Sequence, residues 1–275
     1  MIGRLTMRCV WVSVLVMISS CANRPGNTAP PDAPPSPPPP PPSTPSLADA
    51  AVQSNPTAVE VPVRAHELHE VFPFVRVDAT RGMMEFDATV CINVRDPKTP
   101  RVYLEVLACI PDTKEHESLV VTRALPSHVH AALLLAGLTP GTPGTWDWEG
   151  ATIRPVPPTG PRVRVTAVYG HGDHEHVESL TDWVVDVNDG RTMTASAGAD
   201  HFVFAGSQML ERRGVSRYRA DGEGCVVGLA TFGGETIAWT RLFNPDASLE
   251  EPRWIAEPAK VPEFGTPVVV RIERE

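Results

Sequence analysis

Past its first twenty residues the chain has no apolar run approaching the length of a membrane-spanning helix. Attachment to a bilayer therefore has to come from something other than a spanning segment. There is no Cys-x-x-Cys pair, and only three cysteines lie beyond residue 21, too few for a four-thiolate zinc or iron–sulfur site. HExxH, a Walker A loop and the Rossmann glycine pattern are all missing. Gly206-Ser207 is not followed by the glycine that a nucleophile elbow requires. Asp221-Gly222-Glu223-Gly224 lacks the further alternating oxygen ligands of a calcium loop and reads as a turn. Positive charge is in deficit too. With 24 Lys and Arg against 33 Asp and Glu, the formal charge of −9 argues against binding nucleic acid or anionic lipid through charge.

What is there begins with an export signal. Arg4 and Arg8 make a positive start, and Val10 to Ile18 is a short apolar run. Ile18-Ser19-Ser20-Cys21 closes it, with small residues before a cysteine at the distance of a lipoprotein cleavage site. The expectation is that residues 1–20 are removed and Cys21 becomes the acylated N-terminus, so that lipid alone holds the protein to the membrane. Losing Arg4 and Arg8 takes the charge from −9 to −11. Ala22 after Cys21 favours the outer membrane over the inner one, with the domain in the periplasm or at the cell surface. Residues 21–59 form a tether with unbroken proline from Pro37 to Pro42. At about 3.1 Å per residue in polyproline II it reaches on the order of 100 Å.

Residues 60–275 read as one globular domain. Strand-like runs include Val75–Val77, Met84–Val94, Arg101–Cys109, Arg162–Tyr169, Val177–Val187 and Val268–Glu273. Pro126 to Ala136 reads as a helix, with Val129, Ala132, Leu133 and Ala136 at i, i+3, i+4, i+7 and Gly137 as its stop. Leu134 and Leu135 add apolar surface elsewhere, which implies a largely buried helix. The expected fold is α+β: a mainly antiparallel β sheet with one principal buried helix at about 126–136. Export permits disulfides. Cys91 and Cys109, on two neighbouring strand-like runs, are the candidate bridge, and Cys225 is the odd cysteine, expected to be a small buried residue.

Thr113-Lys114-Glu115-His116-Glu117-Ser118-Leu119, followed by Pro126-Ser127-His128-Val129-His130-Ala131-Ala132-Leu133-Leu134 and Gly137, resembles the YdjY-domain family of bacterial exported proteins and lipoproteins. Trp183, Phe202 to Ser207 and Tyr218-Arg219-Ala220-Asp221-Gly222-Glu223-Gly224 fit its C-terminal half, so the resemblance covers about 72–273. It implies export and brings no particular activity with it. A ferredoxin-like description attached to that family would imply an iron–sulfur cluster. The missing cysteine pattern excludes electron transfer of that kind.

Two constellations carry chemistry. The first is Lys114-Glu115-His116-Glu117-Ser118, a cation, two carboxylates, an imidazole and a hydroxyl in one short link. Extended, it places Glu115 and Glu117 on one face and His116 on the other. The nearby His128 and His130 sit about 200° apart around a helix axis and do not easily share an ion. The second is His171-Gly172-Asp173-His174-Glu175-His176 at the tip of a hairpin. His171, His174 and His176 there are a candidate set for Zn²⁺ or Cu²⁺, though a turn supplies little to fix ligands. The reading that follows is a membrane-anchored envelope domain that binds or scaffolds an envelope protein partner. The alternative is a metal-binding or metal-dependent hydrolytic protein using His116 with Glu115 or Glu117, or the histidine turn.

Overall fold

The computed structural model describes residues 67–149 and 152–275. The expected signal peptide, Cys21 and the proline tether lie outside the described residues.

Eight strands close on themselves as a β-barrel. In chain order they are β1 (Met83–Val90), β2 (Val106–Cys109), β3 (Ser118–Val121), β4 (Arg162–Tyr169), β5 (Phe202–Phe204), β6 (Cys225–Gly228), β7 (Ile237–Trp239) and β8 (Pro267–Arg274). Around the barrel the order is β1-β8-β4-β5-β7-β6-β2-β3, and β3 pairs back onto β1. Alternation sets the interior. β8 turns Val268, Val270 and Ile272 inward, and β4 does so with Val163, Val165 and Ala167. Register places Met84 opposite Ile272 and Phe86 opposite Val270, with Val165 and Ala167 opposite the same two β8 residues on its other edge. Stacked in this way, the inward side chains fill the barrel.

The expectation of an α+β fold, a mainly antiparallel sheet with one principal buried helix, is corrected by this closure. The fold is mostly β, and the helices among the described residues are short: α1 (Pro126–Leu135), α2 (Met193–Ser196) and α3 (Arg219–Glu223). Two pairings, β6 with β7 and β2 with β3, are parallel. Closure depends on the length of β1. One edge takes β8 along most of its length. The other takes the strand Val75–Asp78 over Met83–Phe86 and then β3 at Thr89 and Val90. Alternation reports which face of a strand is apolar but not whether the first and last strands meet, so the ring was invisible in the sequence.

Helix α1 does form, with Pro126 in its first turn. Its end is a Schellman motif: Leu138 N–H donates to Leu133 O and Gly137 N–H to Leu134 O, both near 3.0 Å, with Gly137 at φ +80. Val129, Ala132, Leu133 and Ala136 are buried. Leu134 and Leu135, however, are 47% and 54% exposed, so the helix lies on the barrel rather than inside a core of its own.

Candidate functional site

The lysine-to-serine link does not run extended. Glu115–Glu117 is a single 3₁₀ turn, and the turn separates the two carboxylates. Glu115 accepts the backbone N–H groups of Asp112 (2.6 Å) and Thr113 (2.9 Å); desolvation pushes its carboxyl up, and the backbone N–H bonds together outweigh it and hold the carboxyl below the ordinary range. Glu117 turns the other way, to Lys114 Nζ at 2.6 Å. Lys114 also reaches Glu105 at 3.0 Å and lies over the Phe232 ring at 4.1 Å. Burial pulls this ammonium down, and its two carboxylates outweigh that, so its pKa stands above the usual value. Ser118 is buried and donates to Val120 O at 2.9 Å, while His116 is 77% exposed.

The histidines part company as helix geometry requires. His128 stacks on Phe72 with ring centroids 4.6 Å apart. His130 lies edge-on to Phe204 and Tyr218, and its Nδ1 is 3.0 Å from the Tyr218 hydroxyl. Burial holds this imidazole below its ordinary pKa. His171, His174 and His176 sit on an exposed turn, where His176 stacks on Tyr169 at 4.9 Å. Among the described residues, no group of three or more His, Cys, Asp or Glu side chains is placed to hold a metal ion.

Sequence reasoning missed the residues that the fold gathers most tightly. Asp221-Gly222-Glu223 is the end of α3, which Gly224 terminates at φ +75. Arg219, at the start of α3, uses all three nitrogens of its guanidinium: Nε on Glu223 Oε1 (2.6 Å), Nη1 on Gly233 O (2.8 Å) and Nη2 on Phe232 O (2.7 Å). Glu235 is 1% exposed, and one of its oxygens accepts the N–H groups of Phe232 and of Gly233. Burial pushes its carboxyl above the usual range. A Cβ at Gly234 would meet Glu223 Oε2, so α3 and this loop approach closely here and a larger residue would displace the Glu223 carboxylate from its place beside Arg219. Ser207, at φ +53, donates to Gly234 O at 2.6 Å and accepts from Ala220 N–H at 3.2 Å. Tyr218 donates to Gly206 O (3.1 Å) and meets Thr236 Oγ1 (3.2 Å), and burial pushes its phenol up to about 12.

This network fixes the base of a two-stranded ribbon, Met209–Arg212 with Val215–Tyr218, turned by Arg213 and Gly214, both at positive φ. Arg219 N–H donates to Gln208 O at 2.8 Å and closes the ribbon where α3 begins. Leu210 faces Arg217 and Arg212 faces Val215 across the strands, so these four share one face. That face and α3 line an open groove of about 970 Å³. Arg212, Arg213 and Arg217 are exposed in it, and no salt bridge joins them to any carboxylate among the described residues. Neither outer edge of the ribbon pairs with another strand among the described residues.

Comparison with protein families decides the kinship of this framework: the YdjY domain model matches residues 75–273, from the strand before β1 to the end of β8. The chain belongs to the YdjY domain family. No curated protein and no solved structure matches it. The matched span contains the whole barrel except Arg274, and the Arg219–Glu235 network and the arginine groove lie within it. The signal for the groove was present in Glu211-Arg212-Arg213-Gly214-Val215-Ser216-Arg217, a run of arginine in an acidic chain around a glycine turn.

Proposed function

We propose that the chain is an exported lipoprotein, acylated at Cys21 and spaced from the membrane by its proline-rich tether, whose YdjY domain is a binding module of the cell envelope. One observation carries the binding role: the groove beside α3, where three exposed arginines without salt bridges among the described residues stand next to the exposed Leu210 and Val215. The partner that meets these features together is an extended acidic segment of an envelope protein. Its carboxylates would take the guanidinium forks of Arg212 and Arg217, and its apolar residues would cover Leu210 and Val215. Its main chain would add to an open edge of the ribbon. The net negative charge of the rest of the chain disfavours nucleic acid in the same place.

The test is fluorescence anisotropy with a labelled peptide of alternating Glu and Leu, added to the purified domain. Binding that weakens at least tenfold in an Arg212→Ala/Arg217→Ala variant supports the reading. Equal binding to wild type and variant, or no binding at low salt, removes it.

A further inference from the structure

A small cavity lies where the chain enters β2 and leaves β6, and it shares no lining residue with the arginine groove. It holds about 150 Å³, room for a molecule of amino-acid size. Backbone bonds frame it. Leu104 N–H donates to Trp254 O (2.8 Å) and Glu105 N–H to Glu117 O (3.1 Å), while Glu105 O accepts from the N–H groups of Leu229 (3.0 Å) and Ala230 (2.8 Å). Leu104 is buried, and Tyr103 and Glu105 on either side of it line the cavity. Thr231 N–H donates to Phe243 O at 2.8 Å and ties in the Phe243 wall. The turn that carries Glu117 is held by Cys91, a free thiol like Cys109 and Cys225, whose Sγ lies 3.4 Å from Ser118 O and 3.6 Å from Glu115 O.

Three features of the lining point to a ligand. The first is charge. Glu105 and Glu117 share the single ammonium of Lys114, at 3.0 and 2.6 Å, so the trio carries one net negative charge. Glu250 adds another, and Arg253 brings no counter-charge because Asp186 already holds it. Burial pushes the Glu105 carboxyl above the usual range, a penalty that a cation relieves. The second is aromatic surface. Phe243 and Trp254 meet edge to face at 5.8 Å, and the more exposed Tyr103 lines the cavity with them. The third is an orphaned donor. Trp254 is 4% exposed and lines the cavity, yet its indole N–H has no hydrogen-bond partner among the described residues. A buried donor of this kind calls for an acceptor.

We propose that this cavity binds a small primary ammonium compound with a carbonyl one carbon away, as in a free amino-acid amide or the first residue of a peptide. The ammonium takes the carboxylate oxygens that Lys114 leaves, Glu105 Oε1 and Glu117 Oε2, and lies against the aromatic rings. The carbonyl oxygen accepts the Trp254 indole N–H. A carboxylate in place of that carbonyl is disfavoured by the surplus negative charge of the lining.

The experiment titrates the mature protein in detergent, with its tryptophans labelled at the indole nitrogen, and follows the N–H signals by nuclear magnetic resonance. The Trp254 signal is identified by its absence in Trp254→Phe. Alaninamide is expected to shift that signal saturably, with a Kd of about 1 mM or below. N-acetylalaninamide, which lacks the charge, leaves it in place, and tetramethylammonium, which lacks the acceptor, binds more weakly. Glu117→Gln raises the Kd by about tenfold or more. Tyr103→Ala, at an exposed position that leaves the core intact, raises it about threefold. A trialanine amide that binds as alaninamide does identifies the source as a peptide end, and binding of alaninamide alone identifies a free molecule. No saturable shift with alaninamide overturns the proposal. So does an equal response to the acetylated compound, or a Glu117→Gln protein, folded by circular dichroism, that titrates as wild type does.

Discussion

Arg219 and Glu235 bind the same two residues: Arg219 takes the carbonyl oxygens of Phe232 and Gly233, and Glu235 takes their N–H groups. The loop between β6 and β7 is thereby satisfied at both ends of its polar groups by one cation and one carboxyl. Since Arg219 also begins α3, the clamp sets the wall of the groove. Arg219→Lys keeps the charge but cannot make the three-way fork. It is expected to lower stability by about 2–4 kcal/mol, read as the urea midpoint at constant slope. A change within 0.5 kcal/mol, the range of an ordinary surface substitution, would show that the clamp is incidental.

Glu235 gives the clamp a pH dependence. Its folded pKa is raised above the unfolded value, so the native state holds this proton more tightly. That contribution is fully present below the unfolded pKa and is lost as pH rises through the folded one. Glu235→Gln keeps an oxygen for the two N–H donors and removes the ionisation. The variant is expected to melt higher than wild type at pH 8, with the difference shrinking towards pH 4. Thermal melts across that range check it, and a variant less stable at pH 8 than at pH 4, relative to wild type, contradicts the assignment.

Helix α1 separates two adjacent leucines. Leu133 is fully buried and Leu134 faces solvent. Leu133→Ala should cost about 2–5 kcal/mol, whereas Leu134→Ala should stay within about 0.5 kcal/mol. Equal losses in chemical denaturation would place the helix in a different orientation on the barrel.

The proposed lipidation at Cys21 makes a cell-level prediction. Cells fed a radiolabelled fatty acid should label the wild-type chain and not Cys21→Ser, and the variant should leave the membrane fraction. Label retained by the variant would contradict acylation at that cysteine.

Much of the local structure was legible. The α1 face at positions 129, 132, 133 and 136 and the stop at Gly137 follow from helical spacing and from glycine's tolerance of positive φ. The strand pattern of β4 and β8 follows from period-two alternation. Closure was not legible, because it rests on one edge of β1 serving two strands, a property of pairing rather than of any single strand's pattern. The site divided similarly. His128 and His130 diverge as their angular spacing demands. Glu115 and Glu117 diverge as well, because three residues chose a 3₁₀ turn over an extended link. Glu235 was unreadable: a carboxylate between a glycine pair and a threonine looks like a solvated turn until the fold shows which N–H groups it faces.

The measurement that bears most directly on the binding reading is a paired titration of labelled Glu-Leu and Lys-Leu peptides against wild type and an Arg212→Glu/Arg217→Glu variant. Wild type should prefer the acidic peptide despite its own net charge of −9, with affinity falling as salt rises, and the variant should reverse the preference. A wild-type protein that binds both peptides alike, or a variant that keeps the acidic preference, would contradict the groove as the binding site.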